Sequence, residues 1–199
     1  TVVRVIDGKF EAVNACLMQV AQADGIEILT VEGLEYVNGG AMVPVQEAMA
    51  SGDGTQCGFC TPGFIGALFA LEQSDETITE DVIHDALAGN LCRCTGYRPI
   101  IEAALEACGR MVDYTPQAPP QRAAVHNIDG QIFYAPENLE DLTFLRAKNP
   151  DAMLLSGGTD LGLLISKERK RPDVVIQTSH VKELTLIEER DGALVLGAA

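Results

Sequence analysis

Two cysteine pairs constrain this chain more than any other feature. Cys57 and Cys60 form a C-x2-C in GTQCGFCTPG, and Cys92 and Cys94 form a C-x-C in GNLCRCTGYRP. Each pair stands just ahead of a segment that opens with proline, at Pro62 and at Pro99, and proline favours the first position of a helix. Gly54, Gly58 and Gly96 flank the thiols, and glycine lets the backbone approach closely. Four thiolates delivered by two turns can therefore converge on one centre. The helix starts beside them present unpaired N–H groups and a positive dipole end, which lower thiolate pKa and hydrogen-bond sulfur.

Three chemistries compete for such a set. Disulfides need an oxidising compartment and usually a small secreted fold; nothing in the chain signals secretion, and the expected location is cytoplasmic. A structural zinc site usually takes two C-x2–4-C knuckles, which the tight C-x-C fits less well. An iron–sulfur cluster takes four Cys thiolates and is the favoured reading of the residues alone. The alternative kept beside it is a non-enzymatic, zinc-stabilised interaction module. Cys16 in VNACLMQV and Cys108 in AALEACGRMV each stand alone, and a lone Cys is most often a small buried hydrophobe.

The rest of the chain organises around these pairs. A length of 199 residues allows one large domain or two small ones, and 47% hydrophobic residues exclude disorder. With 29 acidic against 14 basic side chains and a net charge of −15, neither a nucleic acid nor an anionic membrane is an expected partner. No apolar run approaches the roughly 20 residues of a membrane span.

Residues 1–36 read as short strands, Thr1–Ile6 and Glu27–Val31, with Asn14–Val20 ambiguous. They are too few to hold a core of their own. Residues 37–112 read as an all-α four-helix bundle of Val45–Met49, Pro62–Glu72 with Thr61 as N-cap, Thr79–Leu87 and Pro99–Met111. Residues 113–127 carry three of the nine prolines and read as a linker. From 128 to 199 the pattern is α+β: helix Glu137–Asn149, strand Ala152–Leu155, helix Asp160–Arg169, strands Asp173–Gln177 and Leu194–Leu196. Residues 1–112 carry a net charge of −11 and 113–199 one of −4. The first residue is Thr and the last segment is the apolar LVLGAA, so the chain is expected to be an internal piece of a longer protein.

One further motif bears on ligand binding. In AMLLSGGTDL an apolar strand runs into Ser156-Gly157-Gly158-Thr159-Asp160 and then a helix. A strand, a glycine loop and a helix start make a good anion site, and phosphate is the usual anion. A tight turn capped by Thr159 or Asp160 explains the same residues without a ligand. Lys167–Arg171 (KERKR) reads as a solvated helix end, and His84, His126 and His180 have no ligand spacing. No Ser–His–Asp set or carboxylate pair stands out.

At this level of detail QCGFCTPGF followed by GNLCRCTGYRPI resembles the second 2Fe–2S domain of the xanthine dehydrogenase and aldehyde oxidase family of molybdenum hydroxylases. The resemblance implies that Cys57, Cys60, Cys92 and Cys94 hold a 2Fe–2S cluster inside the helical bundle. It also implies that Gln56 and Cys94 lie near the molybdopterin of a partner domain or subunit. NACL resembles the segment that carries the fourth ligand of a preceding plant-ferredoxin-like 2Fe–2S cluster, which makes residues 1–36 the end of a β-grasp domain and Cys16 a ligand; the other three ligands belong to a C-x4-C-x2-C loop that this sequence does not contain. Tyr134-Ala135-Pro136, Leu139, Leu142, Pro150, LLSGGTDL, PDVVIQTSHVKEL and LVLGAA resemble the start of the FAD-binding domain that follows, with Leu154, Leu155, Ser156, Gly157, Gly158, Thr159, Asp160 and Leu161 around the FAD pyrophosphate.

Taken together, the resemblance implies an electron-transfer part of an oxidoreductase. Electrons would pass from molybdenum through the Cys57/Cys60/Cys92/Cys94 cluster, then the Cys16 cluster, then FAD, and on to NAD. The turn amides near Gly58 and Gly96 are where tuning of the cluster is expected. Iron–sulfur and flavin parts on one chain favour the xanthine dehydrogenase branch, with purines as substrates, over relatives that carry them on separate subunits. The aldehyde oxidase branch and other aromatic heterocycle hydroxylases stay open.

Overall fold

The computed structural model describes the whole chain except residues 108, 111 and 118–120. The expectation for Cys108, and the end of the helix expected to reach Met111, fall outside the described residues. The chain divides into two units, one formed by Thr1–Ala15 and Ile26–Pro119, the other by Cys16–Gly25 and Pro120–Ala199.

In the first unit β1 (Val2–Ile6), β2 (Lys9–Val13) and β3 (Glu27–Leu29) form an antiparallel sheet in the order β2-β1-β3. The β1–β2 turn is Asp7-Gly8 with both φ angles positive, 51° and 76°, the geometry that a two-residue hairpin with the correct twist demands. Helices α1 (Leu34–Val37), α2 (Pro44–Ser51), α3 (Thr61–Glu72), α4 (Glu80–Leu87) and α5 (Arg98–Ala107) follow. Helix α3 is apolar on every side and buried from Phe64 to its end, so it has to run through the middle of the unit. It packs against β1 and β2 as well as α2 and α4, with the ring of Phe10 edge-on to Phe69 at 5.9 Å. One apolar core joins Val3, Val5 and Leu29 of the sheet to Phe64, Leu68, Ile83 and Ile100 of the helices. The core therefore crosses the boundary expected at 36/37, because three short strands close no core alone and share the face of α3.

Local signals explain where these helices begin. Proline opens α2, and Thr79 caps α4 by accepting the Val82 N–H at 3.3 Å. Thr61 is not a cap: Cys60 holds that position, and the Thr61 hydroxyl is bonded to that of Thr55 at 2.7 Å. Part of the expected linker is also bound to this unit. The Tyr114 hydroxyl and the Gln117 N–H both donate to the Glu27 carboxylate, and the Tyr114 ring packs on Phe10.

The second unit contains β4 (Val125–Ile128), β5 (Gln131–Tyr134), α6 (Leu139–Lys148), β6 (Met153–Leu155), α7 (Leu161–Ser166), β7 (Val174–Gln177), β8 (Ile187–Arg190) and β9 (Ala193–Leu196). Its main sheet runs β4-β5-β7-β6, with β5, β7 and β6 parallel. Asn138 caps α6 by accepting the Asp141 N–H at 2.8 Å. Asp129-Gly130 and Asp191-Gly192 make the β4–β5 and β8–β9 turns, again with positive φ at both residues. Helix α7 ends at Ser166 rather than at Arg169; Arg169 has φ 55°, which no α-helix accommodates. The KERKR run lies mostly beyond the helix. The β8–β9 ribbon forms a sheet of its own and exposes Ile187, Leu194 and Leu196.

Glu72, in the last turn of α3, is the one charged residue among the buried side chains described. Its carboxylate oxygens have no hydrogen-bond partner. Burial pushes its pKa up to about 8, partly offset by the charge of Arg110, which pairs with Glu47 at 2.8 Å. The folded state thus keeps a proton that the unfolded chain releases near pH 4.5. Stability of this unit is expected to fall as pH rises from about 4.5 to about 8. In Glu72→Gln that decline should disappear from denaturant unfolding measured across the same range.

Candidate metal centre

The four cysteines of the two motifs come together in the first unit. Cys57 and Cys60 lie on the turn that enters α3, and Cys92 and Cys94 on the turn that enters α5. The left-handed φ angles of Gly58, 80°, and Gly96, 72°, reverse the chain between or beside the thiols, where a side chain would be strained. Gly54 answers a different need: a Cβ there would meet the Met49 sulfur at 2.7 Å.

The thiols gather two by two. Cys94 Sγ donates to Cys57 Sγ at 3.4 Å, and Cys60 and Cys92 are neighbours that shift each other's ionisation. Among the described residues, no three His, Cys, Asp or Glu side chains close around a single ion. Each pair holds one easily ionised and one reluctant thiol. The Phe59 amide and the Cys94 thiol lower Cys57, while the bond to Cys57 raises Cys94. The Thr95 hydroxyl and amide bring Cys92 down to about 7, whereas burial and the neighbouring Cys92 push Cys60 up to about 11.

Two residues the motifs did not single out shape the second turn. Thr95 Oγ1 lies 3.2 Å from Cys92 Sγ and accepts the Tyr97 N–H at 3.1 Å. The Tyr97 hydroxyl accepts the Cys92 N–H at 3.1 Å, and its ring stands edge-on to Phe64 in the core. Tyr97 itself has φ 70°. The signal available was the run CTGY, whose polar and aromatic groups can fold back on a preceding turn. Gln56 is exposed beside Cys57, and Phe59, between the first two cysteines, is 96% exposed.

Cys16 stands apart, in the second unit, and is exposed rather than buried in a core. The glycine loop is in the same unit. Leu155 is buried and Leu154 exposed; Gly157, Thr159 and Asp160 face solvent, and Gly158 is buried with φ 83°. Among the described residues the N–H groups of 157–160 have no backbone partner, and neither Thr159 nor Asp160 caps α7 with its side chain. The exposed part of the loop, Gly157, Thr159 and Asp160, offers N–H groups of the kind an anion-binding turn uses.

Comparison with known proteins identifies both units. Residues 30–105 match the [2Fe-2S] binding domain, and residues 126–199 match the FAD binding domain in molybdopterin dehydrogenase. Xanthine dehydrogenase 1 of Arabidopsis thaliana is 31% identical over 94% of this chain and 18% of its own length. Xanthine dehydrogenase of Calliphora vicina is 31% identical over 96% and 18%, and aldehyde oxidase 2 of Cavia porcellus 30% identical over 94% and 18%. The chain belongs to the molybdenum hydroxylase family. It spans less than a fifth of the length of these relatives. Among solved structures, quinoline 2-oxidoreductase from Pseudomonas putida 86 is 35% identical over 51% of this chain and 60% of that chain, with a TM-score of 0.44. The two matched segments carry the cysteine turns and the glycine loop. Cys16 precedes both. No helix among the described residues is long and apolar enough to cross a membrane.

Tyr97→Phe leaves the Cys92 amide without its acceptor. Unfolding of the first unit by denaturant should then need about 0.5–1.5 kcal/mol less free energy, while Tyr36→Phe, at a residue 88% exposed, should change nothing.

Proposed function

We propose that this chain is the iron–sulfur and flavin relay of a molybdenum hydroxylase, in which Cys57, Cys60, Cys92 and Cys94 hold a 2Fe–2S cluster. The pairing of the thiols carries this reading. A 2Fe–2S cluster asks for two protein ligands on each of two irons, and Cys57 with Cys94 and Cys60 with Cys92 are two such couples. A single zinc ion would draw all four sulfurs around one point, and the two-by-two arrangement favours the cluster over that alternative.

The chain's own part is holding and tuning. The turn glycines bring the backbone round so that four sulfurs face one another. The amides of Phe59, Thr95 and Cys94 and the hydroxyl of Thr95 point at sulfur and stabilise negative charge there. The loop from Leu154 to Leu161 supplies bare N–H groups for the FAD pyrophosphate, and Cys16 is a ligand of a second cluster whose remaining ligands lie outside this sequence. The bound groups supply one-electron carriage at the clusters and the exchange between one- and two-electron chemistry at the flavin. The exposed face of Gln56, Phe59 and Leu91 is the one we assign to the molybdopterin-binding partner, whether domain or subunit. Xanthine dehydrogenase is the favoured branch, with NAD as acceptor; aldehyde oxidase is the alternative. Purine-dependent against aldehyde-dependent bleaching of the parent enzyme separates them.

The test is direct. The protein should be brown and hold iron and acid-labile sulfide at roughly 2:2 in the first unit. Cys92→Ser should lose that sulfide and its paramagnetic signal. A colourless protein with one zinc would refute the assignment. In Thr95→Val the cluster should survive, but with one hydrogen bond to sulfur gone its midpoint potential should drop by about 40 mV, the one-electron equivalent of about 1 kcal/mol.

A further inference from the structure

The segment Cys16–Gly25 belongs to the second unit, although it lies between β2 and β3 of the first in sequence. Its seat is built from several contacts. Ala21, in the helical turn Val20–Ala23, packs against the apolar cluster of Phe133, Ala135, Leu155 and Val175. The Gln22 side chain donates to the Ser156 carbonyl at 3.5 Å. Asp24 accepts the Ala123 N–H through its carboxylate at 2.7 Å and the Arg122 side chain through its carbonyl at 3.0 Å. The tightest contact is made by backbone alone. A Cβ at Gly162, in the first turn of α7, would stand 2.5 Å from the Leu17 carbonyl oxygen and 3.2 Å from the Leu17 Cα. Gly158 faces the same carbonyl, at 3.5 Å from its would-be Cβ. The approach at Gly162 is to backbone atoms and cannot be relieved by turning a side chain, whereas the distance at Gly158 is ordinary van der Waals contact.

We propose that Gly162 is a positioning residue: its missing side chain lets the Leu17 carbonyl rest on the first turn of α7, which holds Cys16 at the glycine loop. The contact itself follows from the geometry. Its consequence for electron transfer rests on the reading of Cys16 and the loop as cofactor sites. The sign of the substitution effect is the reverse of the usual one. Inside a helix, replacing Gly by Ala normally stabilises, because Gly costs backbone entropy. At Gly162 the added methyl has to displace the Cys16 segment, so the substitution loosens it.

The experiment uses the full-length parent with its clusters and flavin. Gly162→Ala is compared with Gly89→Ala, a position in the first unit where a Cβ meets nothing within 4 Å. Hydrogen exchange of residues 17–24 should rise about tenfold in Gly162→Ala, the effect of a modest overpacking cost on a local opening equilibrium. Electron exchange between iron–sulfur and flavin after flash photoreduction should slow, with iron, sulfide and FAD content unchanged; a merely structural role would lower cofactor content or stability instead. Gly89→Ala should alter neither. Should Gly162→Ala fail to fold, Gln22→Ala and Asp24→Ala release the same segment from its other contacts and should raise the same exchange. Unchanged exchange in a fully loaded Gly162→Ala, or in both of the other variants, overturns the proposal. A parent that contains no iron, sulfide or flavin would instead sink the functional reading, and the exchange measurement would still judge the contact.

Discussion

Burial of α3 is the constraint on which the first unit depends. A helix with apolar side chains all round has no face to offer water, so the chain must wrap it completely. Two strands cover one side and two helices the others. That wrapping fixes the start of α3, and with it Cys60. Phe64, one turn further on, carries the ring of Tyr97, and Tyr97 in turn holds the Cys92 amide. The second cysteine turn is thus registered against the first through a core aromatic. The cysteine turns sit at the surface, yet their geometry is set from the interior.

How much of this could be read from residues alone depends on how local each signal is. The cysteine turns, the proline-led helices and the Thr79 cap are written within a few positions, and they stand where the sequence suggested. The strands β2, β4, β5 and β8 were not anticipated, although all three hairpins announce themselves as Asp-Gly between β-formers at Asp7, Asp129 and Asp191. That dipeptide carries its own mechanism. Other features are not local at all. Nothing in NACLMQV says that it leaves the strands on either side of it to join another unit. Nothing in DYTPQ says that Tyr114 and Gln117 fasten on Glu27. A proline-rich stretch reads as a linker because its partners lie elsewhere in the chain.

At the candidate site the division is the same. That Cys57, Cys60, Cys92 and Cys94 stand on two turns that approach one another was legible in their spacing, because two tight cysteine pairs ahead of helix starts can meet. Pairing was not, since spacing does not say which sulfur faces which. The Thr95 and Tyr97 contacts depend on a left-handed residue, Tyr97, that is not glycine, a conformation that only the surrounding structure imposes. For the glycine loop, the two readings available from the sequence differed on one point, whether Thr159 or Asp160 caps the helix. Asp160 holds the cap position and makes no side-chain cap bond, so the capped-turn reading lacks the bond it called for.

The β8–β9 ribbon has a practical consequence. Two strands with unpaired rims and branched aliphatics on the outside are a template for more strands. Ile187, Leu194 and Leu196 occupy those outward positions. Handled by itself in solution, the polypeptide would self-associate first through this ribbon, and lysines introduced at Ile187 and Leu194 would be the place to begin improving its solubility.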